Sequence, residues 1–300
     1  GTSWFGSPQL QLPRREVITM DHRLTHNPNL LRRLNRLFWE LLRFVVPVLP
    51  LWLSVWWFDV AAHASAATSV PSAIAQVVFA TFCVFLTLAM TVLVTKWLLL
   101  GKVKPSQHAL WSCWASRWDF HYVIWERYGR GLLAQMDQTH LLVWFLRAIG
   151  VRIGKGCVLG EGFAQLVDPD MITLDDGCTV HALFQAHSFE DRVLKMDRVR
   201  IGRDATVARG AVVLYGAEIG DGSHVAAHAV VMKHEVLPPG RRYGGAPLVE
   251  LQGPPPALPV PRPRGPILAE RDPSLDVARG LAVLGMVWMH FVPADSGNAF

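Results

Sequence analysis

Between residues 201 and 231 an aliphatic side chain recurs at every sixth position: Ile201, Val207, Val213, Ile219, Val225 and Val231. The residue after each is mostly small (Gly202, Ala208, Gly220, Ala226), with Leu214 and Met232 as exceptions. The same rhythm is present earlier at Ile153-Gly154, Leu159-Gly160, Leu174 and Val180. A helix would space its apolar residues by three and four, and a half-buried strand by two. A period of six suits a coil with three flat sides of six residues, each side sending one aliphatic side chain into a triangular core. Small residues follow because the chain turns a corner there and a larger side chain would crowd it. Coils stacked at strand spacing pair every backbone group up and down the column. The spacing therefore predicts a solenoid over residues 151–250, with glycines at its corners.

Two segments break the rhythm, 163–171 (FAQLVDPDM) and 187–199 (HSFEDRVLKMDRV), after which the hexads resume at Ile201. Insertions in a solenoid fall on one face as loops and often carry the function.

Composition enters where the solenoid ends. The chain is 51% hydrophobic and only 18% charged, with 12 tryptophans, which argues against a simple soluble protein. Residues 44–62 are nearly uncharged, and residues 73–100 carry Lys96 as their only charge. Each run is long enough to cross ~30 Å of hydrocarbon at ~1.5 Å per residue. Arg32, Arg33, Arg36 and Arg43 precede the first run, Lys102 and Lys104 follow the second, and residues 59–72 contain no Lys or Arg. The positive-inside rule puts both flanks in the cytoplasm. A two-helix hairpin in the lipid bilayer of the inner membrane, with the solenoid on the cytosolic side, is expected. The net charge of +5 is scattered, with no run resembling a nucleic-acid arm. Cys83, Cys113, Cys157 and Cys178 form no close pair in sequence, so neither a disulfide framework nor a zinc ribbon is signalled.

The hexads and their interruptions resemble the hexapeptide-repeat acyltransferases, including the galactoside and maltose acetyltransferases. The resemblance implies a left-handed parallel β-helix. In that family a histidine just before the loop deprotonates an acceptor hydroxyl or amine for attack on a thioester. The matching position is His187 in QAHSFEDR. Imidazole, with a pKa near ~6.5, suits that task at neutral pH; the alternative is a hydrogen-bonded structural histidine at a loop start. Glu190 or Asp191 is the candidate to orient His187 by accepting its second N–H, against a solvated or salt-bridged turn. The segment KHEVLPPGRRYGGAPLVEL looks like the one that follows the last coil in the family. Ala227, Lys233, Gly245 and Pro247 are thereby placed along a coenzyme A channel. Two departures, Arg209 and His228, stand where the family has small residues and would remodel that channel. His224 and His228, four apart, fall on different sides or corners of a hexad coil, so no metal site is expected.

The chain's first residues, GTSWFGSPQLQLPRR, resemble GRRYGGAPLVELQG near its end. Residues 1–15 therefore read as the tail of a preceding β-helix. Alternating β-helices and membrane hairpins resemble the C-terminal region of membrane-bound nonribosomal peptide synthetases of the ε-poly-lysine synthetase type, through LWSCWASRW, QTHLLVWFLRAIGVRIG and FEDRVLK. That resemblance implies an amino acid donor held as a phosphopantetheine thioester on a carrier domain, an amine acceptor, and no permanently bound cofactor. The expected partners are neighbouring β-helices in the same chain, as a pseudo-trimer, or a homotrimer. The organisation read from the sequence is an amphipathic cytosolic linker (16–43), the hairpin (44–100), a helical lead-in (101–150) and the β-helix (151–250). A proline-rich spacer (251–273) and the start of another membrane segment (274–300) follow. Two other functions remain open: an acetyl-CoA-dependent O-acetyltransferase of an envelope glycan precursor, and a catalytically inert β-helical scaffold.

Overall fold

The structure, a computed structural model, describes residues 3–5, 10–12, 18–66, 69–160, 162–163, 166–253, 277–278 and 280–282. The chain divides into two units, residues 1–255 and 256–300. In the second unit the described residues are helical. Most of the expected spacer and membrane segment lies outside the described residues.

The hexad residues of the first unit form three parallel sheets. One stacks β4 (Arg152–Ile153), β6 (Ile172–Leu174), β11 (Val199–Ile201), β14 (Glu218–Ile219) and β17 (Val236–Leu237). The second stacks β5 (Val158–Leu159), β7 (Thr179–Val180), β12 (Thr206–Val207), β15 (His224–Val225) and β18 (Arg242–Gly244). The third holds β8 (Leu183–Gln185), β13 (Val212–Leu214) and β16 (Val230–Val231). Their registers align the aliphatic residues in columns: Ile153, Leu174, Ile201, Ile219 and Leu237 in the first sheet. Val180, Val207 and Val225 align in the second, and Phe184, Val213 and Val231 in the third. Ile201, Val207, Val213, Val225 and Val231 are fully buried. This arrangement fits a left-handed β-helix. The corner rule has a steric cause at Gly220: a Cβ there would stand 2.6 Å from Pro239 N and 2.7 Å from Leu237 O of the next coil. Stacking also brings together two cysteines far apart in sequence, Cys157 and Cys178, whose sulfurs are 3.5 Å apart as free thiols.

An antiparallel strand, β19 (Val249–Leu251), folds back on β18 with Arg242 opposite Leu251. Near the start, β1 (Ser3–Phe5) and β2 (Leu10–Leu12) pair antiparallel with Ser3 opposite Leu12. The two strand pairs have the same strand lengths and the same register.

The helical part begins with a single turn, α1 (His22–Thr25), and α2 (Leu30–Leu42), whose first turn Asn29 caps by accepting from Arg32 N–H. α3 (Val48–Ser65) and α4 (Val70–Leu99) follow. Among the described residues one helix, Val70–Leu99, is long and apolar enough to cross a membrane. α3 has 18 residues and starts later than the expected 44, because the chain turns through 44–47 before Pro47 caps the helix. Pro50 sits in its first turn, where a missing N–H costs little. In α4, Thr87, Thr91 and Thr95 return their hydroxyls to carbonyls one turn back, which satisfies them without water.

The lead-in is β3 (Ser106–Ala109), α5 (Cys113–Ile124), a π-helical turn (Trp125–Gly129), α6 (Arg130–Met136) and α7 (His140–Ile149). Leu142, Leu146 and Ile149 of α7 are buried in the same core as Leu159 and Leu174 of the first coils. Trp97 Nε1 of α4 donates to Ala148 O at 3.0 Å.

Candidate active site

The interruption at 187–199 folds as a β-hairpin, β9 (His187–Glu190) and β10 (Val193–Met196), with β3 as a third strand on β10. Its two-residue turn holds Asp191 at φ 52° and Arg192 at φ 63°. Both central residues are left-handed, as a tight hairpin turn needs. Asp191 is thus a turn residue.

His187 opens β9, with its side chain 18% exposed. Its Nδ1 lies 2.5 Å from Asp168 Oδ2. An ionised carboxylate only accepts, so Nδ1 carries the proton and Nε2 is the nitrogen left for proton transfer. Asp168 Oδ1 accepts from Trp118 Nε1 at 2.8 Å, and the Trp118 ring also meets the imidazole edge to face, centroids 4.9 Å apart. Burial pulls the His187 pKa down, but the charge of Asp168 and its hydrogen bond outweigh it and leave the pKa above the ordinary value.

Asp168 comes from the other interruption, 163–171, immediately before a 3₁₀ turn at Pro169–Met171. The carboxylate that meets His187 is therefore neither Glu190 nor Asp191. Asp170, at the next turn position, accepts from Val103 N at 3.0 Å and pairs with Lys96 Nζ at 2.8 Å. His121 of α5, fully buried, has its pKa pushed down to about 4 by burial, with Asp168 opposing and Lys96 adding to the shift. Its Nδ1 is 3.4 Å from Thr95 Oγ1. Two solenoid interruptions, α5 and the end of α4 thus converge on one polar cluster.

Glu190 is turned to other partners. Its Oε1 meets Lys233 Nζ and its Oε2 lies 3.3 Å from Lys195 Nζ. Burial raises its pKa, but the two lysines together lower it below the usual carboxylate value. Of the four residues assigned to a donor channel, Ala227 and Lys233 flank β16, the last strand of the third side, at opposite ends. Gly245 accepts through its carbonyl from Val230 N at 3.1 Å, and Pro247 follows in the β18–β19 turn. They frame one side of the solenoid. On it, Leu183, Val212 and Val230 share a register. His228 leans over Gly210 of the coil before, where a Cβ would come within 2.6 Å of its Nδ1.

Asp168 and Trp118 were not singled out from sequence. The interruption at 163–171 was the available signal for Asp168; nothing local marked Trp118 among twelve tryptophans.

Residues 198–233 match the family described as bacterial transferase hexapeptide (six repeats). With the stacked hexads and a histidine at the loop, the chain is a hexapeptide-repeat protein of the acyltransferase class, and it is similar to a poly-amino-acid synthetase. It is 31% identical over 261 residues to a delta-poly-L-ornithine synthetase of Acinetobacter baumannii (strain AB307-0294), an alignment covering 83% of this chain and 19% of that relative. The chain thus spans about a fifth of the length of the curated relative it matches. Among solved structures it is similar to a hexapeptide-repeat acetyltransferase of Vibrio cholerae O1 biovar eltor in complex with acetyl coenzyme A. That match has 20% identity and a TM-score of 0.30, over 43% of this chain and 86% of that one. It is also similar to a galactoside acetyltransferase in complex with coenzyme A, at 14% identity and a TM-score of 0.34, over 44% and 81% of the two chains.

Proposed function

We propose that this module catalyses acyl or aminoacyl transfer from a pantetheine thioester to an amine or hydroxyl, in amide-bond formation by a poly-amino-acid synthetase. The observation that carries the reading is the contact of His187 Nδ1 with Asp168, which fixes the tautomer and leaves Nε2 as the base. The acceptor N–H or O–H gives its proton to Nε2 as the heteroatom attacks the thioester carbonyl. The tetrahedral intermediate collapses with cleavage of the C–S bond. The imidazolium then returns the proton to the departing thiolate, so no metal or nucleophilic side chain is consumed. The similarity to a delta-poly-L-ornithine synthetase supports an amine acceptor and an amino acid donor; that the donor is held on a carrier domain is part of the same proposal.

The apolar register of Leu183, Val212 and Val230 is suited to a pantetheine arm or to a neighbouring β-helix. The matched strand pairs 3–5 with 10–12 and 242–244 with 249–251 support a preceding β-helix in the same protein, and with it a pseudo-trimer of tandem copies. Membrane anchoring through α3 and α4, with the β-helix cytosolic, is part of the same proposal. It predicts that Ala66→Cys is labelled from outside intact cells and Ser106→Cys is not.

The deciding experiment is His187→Ala in the intact protein, with product formation and thioester loading of the carrier measured separately. Product formation is expected to fall by about 10² or more with loading unchanged, the scale for losing a general base. Unchanged product formation would favour the inert scaffold. Transfer from free acetyl-CoA that survives removal of the carrier would favour the O-acetyltransferase reading.

A further inference from the structure

α2 is amphipathic in an unusual sense: its polar face is turned inward and its apolar face outward. At about 100° per residue, Leu30, Leu31, Leu34, Leu37, Phe38 and Leu41 cover an arc of about 120°. Each of the six is 49–74% exposed. The opposite face is already occupied by α5. Arg36 Nη2 lies 2.6 Å from Asp119 Oδ2, Arg43 pairs with the same carboxylate, Asn35 Nδ2 donates to Ser116 Oγ at 3.2 Å, and Trp39 packs on Phe120. A water-facing helix buries its apolar stripe and exposes its charges; α2 does the reverse.

We propose that α2 lies in the plane of the membrane surface, with its apolar stripe set into the boundary between lipid headgroups and acyl chains. The proposal rests on the membrane reading of α3 and α4. Three observations choose lipid as the occupant. The stripe runs without a break into Phe44, Val45, Val48, Leu51 and Trp52, all at least 55% exposed, so α2 and α3 share one apolar surface. Thirteen residues span about 20 Å, too short to cross the ~30 Å hydrocarbon layer and suited to lying along it. Arg33 and Glu40 border the stripe and are exposed, within reach of the headgroup layer. The consequence reaches the site, because the helix that α2 holds carries Trp118 next to Asp119. The interfacial helix thus presses α5, and with it the Trp118–Asp168–His187 chain, against the cytosolic face of the bilayer.

The test uses the intact protein in vesicles of phosphatidylcholine and phosphatidylglycerol, with a fluorescent amino acid replacing either Phe38 or Leu86, near the middle of α4. Quenchers are attached to lipid chains near the headgroup or at the chain end. Position 38 is expected to lose fluorescence mainly to the shallow quencher and position 86 mainly to the deep one. Deep quenching at 86 with none at 38 overturns the inference while leaving the membrane hairpin intact. Stronger quenching at 38 by the deep than by the shallow probe also overturns it. Quenching at neither position removes the hairpin and the inference together.

Discussion

Lys96 Nζ lies 2.8 Å from Asp170 Oδ2, with the two side chains 1% and 7% exposed. One charge comes from the last turn of α4 and the other from an interruption of the solenoid, so the pair joins the apolar helix to the β-helix. Nζ stands 3.4 Å over the Trp97 ring as well.

Removing one member should strand the other. Asp170→Asn leaves a buried ammonium without its counter-charge, a change that costs about 3–5 kcal/mol. Lys96→Met with Asp170→Leu removes both charges and should recover much of that loss. Thermal unfolding of the two variants in detergent checks the order; equal destabilisation would show that the pair does not hold the two parts together. Gly150→Ala acts at the same place, since at φ 128° its Cβ would fall 2.6 Å from Asp170 Oδ1.

Asp168→Asn keeps the shape of the contact and removes its charge. Burial alone would then act on His187, and its pKa should drop from above the ordinary value to below it. In the wild type the raised pKa stabilises the fold fully below about pH 6.5. That contribution is lost as pH rises through the folded value, over the same range in which the base becomes neutral and active. Turnover is expected to fall by about 10² or more on the general-base scale, while the acid limb of the pH profile shifts to lower pH. An imidazole NMR titration that does not move would refute the coupling.

Trp118→Phe separates packing from donation. The ring that meets His187 is retained, but Asp168 Oδ1 loses the N–H that shares its negative charge with the imidazole. Asp168 should hold the imidazolium more strongly, so the His187 pKa and the acid limb should move to higher pH. This is the reverse of Asp168→Asn, and a mere packing role for Trp118 would move neither.

How much of this was legible follows from how far each relationship reaches along the chain. The columns of Ile201 and Val207 were legible because the period is local and every coil repeats it. That His187 opens an interruption of the coils was legible from the same rhythm. Its partner was not: Asp168 is 19 residues away and reaches it only once the coils stack, while Trp118 sits on a helix outside the solenoid. Glu190 and Asp191 are close in sequence and wrong in direction. Alternate residues of a strand point to opposite faces, so the third residue after His187 leaves it on the other face, and Asp191 is consumed by the turn. The start of α3 was misplaced because 44–47 is as apolar as the helix it precedes, and only Pro47 marks the boundary.

Glu190 should fasten the hairpin that carries His187. It bridges Lys195, 3% exposed on β10, and Lys233 just after β16. The lysines hold its pKa below the ordinary carboxylate value. A depressed carboxylate stabilises the fold above its unfolded pKa, near ~4.5 or lower, and that contribution is lost as pH falls through the folded value. Glu190→Gln should remove it at neutral pH, leaving Lys195 buried with a neutral partner at a cost of about 1–3 kcal/mol. Amide exchange is the fitting measurement because it reads the hairpin separately from the solenoid. Faster exchange is expected at residues 187–196, with the columns around Ile201 and Val207 unchanged, and the difference between variant and wild type should shrink on acidification. If exchange in the hairpin were unaltered at neutral pH, Glu190 would be a surface ion pair with no hold on the loop. The position of His187 would then depend on Asp168 and the β3–β10 pairing alone.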